Sequence, residues 1–283
     1  MRRLTIILFS IILLAACQKS IVVDNAQEAR LTYTLRPDVQ FEVKSEGGSA
    51  SVNTLSCLVY HFKNGGYEYV PELSRFVDLT DPSNIDKDGN INVPVKLFKD
   101  QTYRLIFVAQ HAIRTAKGTA SYVYTVKDGV MSVNTNADIT SGDQLEAFAF
   151  VDDAVRPTGV ESKHITLGRV VSQVNIGTSQ DNLPSSLKVT ASNVPASFDL
   201  VNNTCSNETA TLSFDNISVA GDKMIVSETE YNRLTTLHFL GSNKIDITLS
   251  AEGKETVTIK QVDTKVNYKT NIAGNILSGN IVL

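Results

Sequence analysis

The chain has 283 residues, with 26 Lys and Arg against 30 Asp and Glu, giving a formal net charge of -4. That balance lacks the basic footprint that nucleic acid requires, so nucleic acid is excluded as a partner. The length favours two domains over one, each able to bury a core.

The opening stretch carries Arg2 and Arg3, then the apolar run Leu4 to Leu14, then Ala15-Ala16-Cys17. This is a charged region, a short hydrophobic region and a small-residue cleavage site, in that order. A spanning helix needs about 20 apolar residues and this run is roughly half that. Residues 1–16 therefore read as a lipoprotein signal peptide cut between Ala16 and Cys17, and Leu14 to Cys17 match a lipobox. Cys17 becomes the lipidated N-terminus on a membrane surface, and residues 17–30 form a tether.

Beyond the tether, long helical periodicity is absent. Short β-branched and aromatic runs bounded by Gly, Asn, Asp and Pro recur instead, which predicts an all-β protein of sandwich or barrel type. In Leu31-Thr-Tyr-Thr-Leu35 and in Val39 to Lys44 apolar and polar residues alternate, as they do when one sheet face is buried and the other wet. Leu105-Ile-Phe-Val-Ala109 is continuously apolar and predicts a central strand covered on both faces. Further strands are expected at Tyr122 to Val126, His164 to Gly177, Leu187 to Ala191, Thr209 to Phe214, Leu234 to Leu240, Lys244 to Ala251 and Glu255 to Val262. Gly65-Gly66, Asp88-Gly89 and Glu252-Gly253 are turn signals, the last joining two alternating runs as a hairpin. Pro184 and Pro195 mark loops or edges. Asp152 to Ser162 is loop-like, and a domain boundary placed after it gives an N-terminal β-sandwich over 31–163 and a C-terminal one over 164–283. No fixed sequence period recurs, which argues against solenoids and propellers.

Few constellations suggest chemistry. Asn84 to Asn90 resembles part of a calcium loop, but Val95 stands where the bidentate Glu belongs, so a turn is the expected structure and no metal is assigned. His61, His111, His164 and His238 never fall within four residues of one another, and no Cys-x-x-Cys pair exists to nucleate a zinc site. Asp152 and Asp153 are adjacent, would point to opposite faces of a strand, and read as solvating a loop. Cys57 and Cys205 read as two unpaired thiols. No catalytic residue, cofactor or enzymatic activity is expected.

Four phrases, taken in order, resemble the fimbrillin superfamily, the lipoprotein subunits of the type V pili of Bacteroidales. They are Phe98 to Gln110, Asp143 to Phe150, Ile165 to Gly177 and Val266 to Leu277. The resemblance implies two tandem transthyretin-like Greek-key β-sandwich domains, lipid-anchored export to the outer membrane with a place on the cell surface or in a fimbria, and assembly with other fimbrial subunits by strand exchange. It also implies an Arg-specific protease that removes an N-terminal strand, leaving a groove for a neighbour's strand. Cleavage between Arg30 and Leu31 fits that step, with Ile21-Val22-Val23 as the displaced strand and Asp24 to Glu28 as an exposed loop. Arg36 precedes Pro37, a poor bond for most proteases. At the other end, either Thr270 to Leu283 is the donor strand or the subunit does not donate, so stem, tip and accessory roles all stay open. The competing expectation is a surface glycan- or ligand-binding lipoprotein that does not polymerise and that recognises a host or bacterial surface ligand. It would require a cluster of exposed aromatics, for which Tyr60, Tyr67 and Tyr69 are the nearest candidates.

Overall fold

The computed structural model describes residues 27–36, 52–114, 120–134, 137–278 and 280–282. In chain order its strands are β1 (Glu28–Arg36), β2 (Thr54–Lys63), β3 (Gly66–Tyr69), β4 (Arg75–Asp78), β5 (Ile91–Phe98), β6 (Tyr103–Gln110), β7 (Ala112–Arg114) and β8 (Ala120–Tyr122). They continue as β9 (Tyr124–Lys127), β10 (Val130–Val133), β11 (Ala147–Val155), β12 (Val160–Thr166), β13 (Gly168–Arg169), β14 (Val171–Thr178), β15 (Ser186–Pro195) and β16 (Ser197–Asp199). The last are β17 (Thr204–Cys205), β18 (Thr209–Ser218), β19 (Lys223–Val226), β20 (Thr229–Leu240), β21 (Asn243–Ser250), β22 (Val257–Thr264), β23 (Lys269–Asn275) and β24 (Asn280–Val282). The expected strand at Val39 to Lys44 lies outside the described residues.

Two β-sandwiches follow one another along the chain. In the first, a sheet ordered β12-β1-β5 faces a sheet ordered β13-β11-β6-β2-β3, with β4 also pairing to β2. The alternation in β1 sends Leu31, Tyr33 and Leu35 inward against Leu55, Cys57 and Val59 of β2 and Leu105, Phe107 and Ala109 of β6. Because side chains alternate along a strand, Ile106 and Val108 point the other way. They join a second cluster, which explains why β6 is apolar at every position. β5 is an edge strand and accommodates Pro94, which has no N–H to donate to a neighbour.

The second sandwich pairs a sheet ordered β19-β20-β14-β23-β24 with one ordered β18-β15-β21-β22. Val174, Ile176, Leu237 and Phe239 meet Val189, Ile245, Ile247 and Ile259 in its core. That core runs without a break into the outer face of β6 and β2 through Tyr124, Met131 and Leu145. A small sheet ordered β17-β16-β10-β9 ties the polar segment after Asp128 to the second sandwich.

Three local expectations change. His164 is not at a boundary: it lies inside β12, which pairs in parallel with β1 from Arg30↔Val160 to Arg36↔Thr166. Asp152 to Ser162 is not one loop, since β11 continues to Val155 and β12 begins at Val160. The β2–β3 turn is made by Asn64 (φ 53°) and Gly65 (φ 85°), one residue earlier than the Gly-Gly pair suggested. Positive φ at both central residues is what a tight primed hairpin demands. Glu252-Gly253 does lie between the paired strands β21 and β22, with Gly253 at φ 69°. Among the described residues no helix is long and apolar enough to cross a membrane.

Candidate functional site

β1 is the first place where structure and expected function meet. It sits between two strands, parallel to β12 and antiparallel to β5, so both of its backbone edges are paired. Ala29, Leu31, Tyr33 and Leu35 are each at most 1% exposed. Burying a side chain the size of Leu31 or Leu35 is worth roughly 1.5–3 kcal/mol. The Tyr33 ring packs 4.8 Å from that of Phe107, and its hydroxyl donates to Asp152 Oδ2 at 2.6 Å. Lys163 Nζ donates to the same oxygen at 2.7 Å. Burial pushes the Tyr33 phenol up, and the Asp152 carboxylate adds to the shift. Without β1, the edges of β12 and β5 would lose their hydrogen-bond partners and the inner faces of Val93, Val95 and Phe107 would open to water. Such a vacancy is what an extended strand fills.

Arg30 is the third residue of β1 and not part of an open loop following a strand. Its side chain is exposed beside Glu28, while its N–H donates to Gly159 O at 3.0 Å. Leu31, on the other side of the expected bond, is buried. Ala16, Cys17 and the run Ile21-Val22-Val23 lie outside the described residues. Thr270 to Leu283, weighed as a donor, begins in β23, which pairs with β14 along its length and buries Ile272 and Ala273. That strand belongs to the chain's own sandwich.

A second feature lies on the outer face of the β6–β2 layer. Registry places Phe76 of β4 opposite Ser56 of β2, and Ser56 opposite Val108 of β6. It likewise sets Tyr69 of β3 opposite Tyr60 of β2. All of these side chains therefore share one face. The segment β8–β9 rises beside it with Tyr122 and Tyr124, leaving a cavity of about 580 Å³. Phe76 is 56% exposed and Tyr69 42%, and the Phe76 and Tyr122 rings lie 6.4 Å apart. Exposed aromatics do cluster, but the trio read from sequence supplies only part of the group. Tyr60 is buried, and Tyr67 turns to pack under Arg104, whose guanidinium carbon stands 3.9 Å from its ring centre.

The third feature, missed in the sequence, is a buried polar cluster. Ser141 and Gln144 form a capping box on the short 3-10 turn Gly142–Leu145, and His238 Nδ1 donates to Gly142 O at 3.2 Å. A Cβ on Gly142 would come within 1.7 Å of Thr236 O, so only glycine lets this turn lie directly on β20. Glu146, just past the turn, pairs with Arg169 of β13 and stands 3.9 Å from His238 Nε2. Arg169 also donates to Gln173 Oε1 at 3.1 Å. Burial holds the His238 imidazolium down to about 4, with Arg169 adding to the shift and the Gly142 carbonyl opposing it. The cluster lies out of reach of a substrate, and its evident role is to pin the end of the first sandwich to the second.

The remaining residues are structural. Asp86 accepts from the backbone N–H groups of Asp88 and Asn90 at 2.9 and 2.8 Å, which makes Asn84 to Asn90 a turn. Asp152 and Asp153 lie in β11 at a bulge, so they do not solvate a loop. Asp152 takes Tyr33 and Lys163, and Asp153 takes the Arg104 guanidinium through two 2.9 Å bonds. His61 contacts Gln101 at 2.7 Å, and His111 approaches Gln144 at 3.2 Å. Cys57 and Cys205 are both free thiols.

These sheets define an all-β protein of two sandwiches whose first strand is shared between two neighbours. The chain belongs, over residues 22–282, to a family described only as a family of unknown function, DUF6562. Comparison with curated proteins gave no match. Among solved structures it is similar to a fimbrial assembly protein from Parabacteroides distasonis, with 14% identity, 90% of this chain and 93% of that chain covered, and a TM-score of 0.42. It is also similar to the tip fimbrial protein Mfa3 from Porphyromonas gingivalis, with 11% identity, 83% and 81% covered, and a TM-score of 0.38. A third is a protein from Bacteroides ovatus provisionally described as an adhesin, with 11% identity, 90% and 94% covered, and a TM-score of 0.47.

Proposed function

We propose that this chain is a non-enzymatic structural subunit of a cell-surface fimbria, anchored in the outer membrane by lipid on Cys17 and joined to its neighbours by strand exchange. The observation that carries the reading is β1: a strand near the start of the chain, paired on both sides and buried along one face. A neighbour's extended segment with apolar residues at alternate positions would satisfy the same backbone groups and the same pockets. The lipobox at Leu14 to Cys17 supplies the anchor.

The geometry refines the processing step. A cut between Arg30 and Leu31 would free the lipid tether yet leave Leu31, Tyr33 and Leu35 seated in the sheet. Because the bond after Arg36, the last residue of β1, is a poor one for most proteases, vacating the slot requires that this remnant dissociate after the cut at Arg30. Because β23 pairs with β14 and β24 pairs with β23 in the chain's own sheet, the subunit serves as an acceptor at β1 and does not donate from Thr270 to Leu283.

Intact mass and N-terminal sequencing of protein from outer membranes and from sheared surface fractions test this. Chains beginning at Leu31 in high-mass sheared material are the expected result. Protein that stays monomeric, membrane-bound and acylated at Cys17 would defeat the polymerising role.

A further inference from the structure

We infer that the β1 slot is selective at its middle position: the strand it takes from a neighbouring subunit carries a tyrosine between two aliphatic residues, and the Asp152–Lys163 pair is what recognises that tyrosine. This rests on the strand-exchange reading and narrows it, because the seated β1 shows what each pocket accepts.

Registry divides the slot into three inward positions. Leu31 lies between Glu161 of β12 and Val95 of β5, Tyr33 between Lys163 and Val93, and Leu35 between Ile165 and Ile91. The outer two enter the apolar core of the first sandwich, where aliphatic side chains of similar volume substitute for one another. The middle position differs. Its wall is Phe107, with ring centres 4.8 Å apart, and at its end stands Asp152, which β11 places opposite Leu105 on the inner face of the other sheet. A carboxylate on an inner face is costly unless it is both paired and hydrogen-bonded. Lys163 supplies the pairing at 2.7 Å and the Tyr33 hydroxyl donates the further bond at 2.6 Å, both to Oδ2.

Other side chains fail one of these demands. Phe packs on Phe107 but leaves Asp152 short of a donor, and Leu or Val also leaves space beside the ring. Ser or Thr has the hydroxyl without the ring. Asp or Glu would be repelled by Asp152 and by Glu161, whose charge also reaches Tyr33. Lys or Arg would bury a second cation where Tyr33 is 0% exposed. Of the nine tyrosines in the chain, only Tyr33 has Leu, Ile or Val both two residues before and two residues after it. Thr270 to Leu283 contains no tyrosine, which disqualifies that run of a second copy, and a second copy's β1 already fills its own slot. The occupant is thus a segment of a different protein, running parallel to β12 and antiparallel to β5 as β1 does.

The test uses the full chain with a specific protease site inserted between β1 and β2, folded and then cut, so that β1 stays in place but can exchange. Fluorescein-labelled peptides copying Glu28–Arg36 are added, one with the parent sequence and others with Tyr33→Phe or Tyr33→Leu. Anisotropy reports entry, and intact mass reports departure of the cut β1. The parent peptide should bind, and the Tyr33→Phe peptide should bind roughly 10–100-fold more weakly, the strength of a hydrogen bond to a charged group. In protein carrying Asp152→Leu and Lys163→Met together that preference should disappear; if this variant does not fold, the peptide series on the parent protein decides alone. Equal binding of the tyrosine and phenylalanine peptides to the parent protein, or a tyrosine preference that survives the double substitution, would overturn the selectivity while leaving strand exchange intact. If no peptide enters at all, strand exchange itself fails and this inference fails with it.

Discussion

Lowering the pH from 7 toward 4.5 should remove stability through His238, and the size of the loss follows from its surroundings. In the folded chain burial holds its pKa at about 4, against an ordinary value of 6.5. Gly142 O, Glu146, Arg169, Asp143 and Lys269 are the polar and charged groups acting on it. Between those two values the unfolded chain binds a proton that the folded chain refuses. Stability is therefore complete above pH 6.5, falls as the pH drops through the window, and loses nothing more from this group below pH 4. The loss is on the order of 1 kcal/mol by pH 5.5 and roughly 2–3 kcal/mol by pH 4.5. Glu28, Asp86 and Asp153 are each held below the usual carboxylate range by hydrogen bonds, to Arg30, Asn90 and Arg104 respectively. Their contributions fade only below about pH 4.5, so between pH 6.5 and 5 the difference between the parent and a variant lacking the imidazole reports His238. Urea denaturation followed by circular dichroism at pH 7, 5.5 and 4.5, on the parent and on His238→Asn, measures the effect. The asparagine keeps a donor for Gly142 O and cannot titrate, so its stability should fall less than the parent's from pH 7 to 5.5. A parent equally stable at pH 7 and 5.5, or a variant that falls in parallel with it, would refute the reasoning.

Three further outcomes are expected. Tyr33→Phe removes the donor to Asp152 while leaving Lys163 on that carboxylate, and should cost about 1.5–3 kcal/mol in chemical denaturation, the worth of a hydrogen bond to a charged group. Gly142→Ala drives a methyl into Thr236 O and should destabilise by more than about 3 kcal/mol, seen as a fall in Tm or loss of soluble protein. Of Cys57 and Cys205, only Cys205 should react with a thiol reagent in the native state, because Cys57 is buried and burial pushes its thiol up; denaturant should release the second thiol.

Legibility in the sequence followed the range of the contacts. β6 was readable because burial on both faces writes a continuous apolar run, and the inner face of β1 because one-sided burial writes an alternation. The β21–β22 hairpin was readable because its turn residues are local. The extent of β12 was not, since pairing with a strand near the start of the chain leaves no mark on the intervening residues, and a polar stretch there looked like a loop. The same limit hid the buried cluster. Glu146, Arg169 and His238 come from three separate segments, and each alone is an ordinary polar residue. It also split the aromatic groove: Tyr60 and Tyr69 are close neighbours in sequence, whereas Phe76 and Tyr122 join them only through the pairing of β2 with β4 and the return of the chain along β8.

The position of β1 also orders the folding of the first sandwich. Synthesis delivers this strand ahead of both its partners, yet it can be paired on two sides only after Val160–Thr166 has followed. Contacts so distant in sequence form late, because a long loop must close before they contribute. The slot for β1 thus stays open while the opposing sheet of β2, β6 and β11 can already be in place. During that interval the chain's own strand has, over any strand of a second chain, the advantage of the effective concentration that comes from belonging to the same polypeptide, on the order of millimolar for connected segments. A cut between β1 and β2 would remove that advantage without altering a single contact in the groove, so occupancy of the slot would then depend on the local concentration of competing strands.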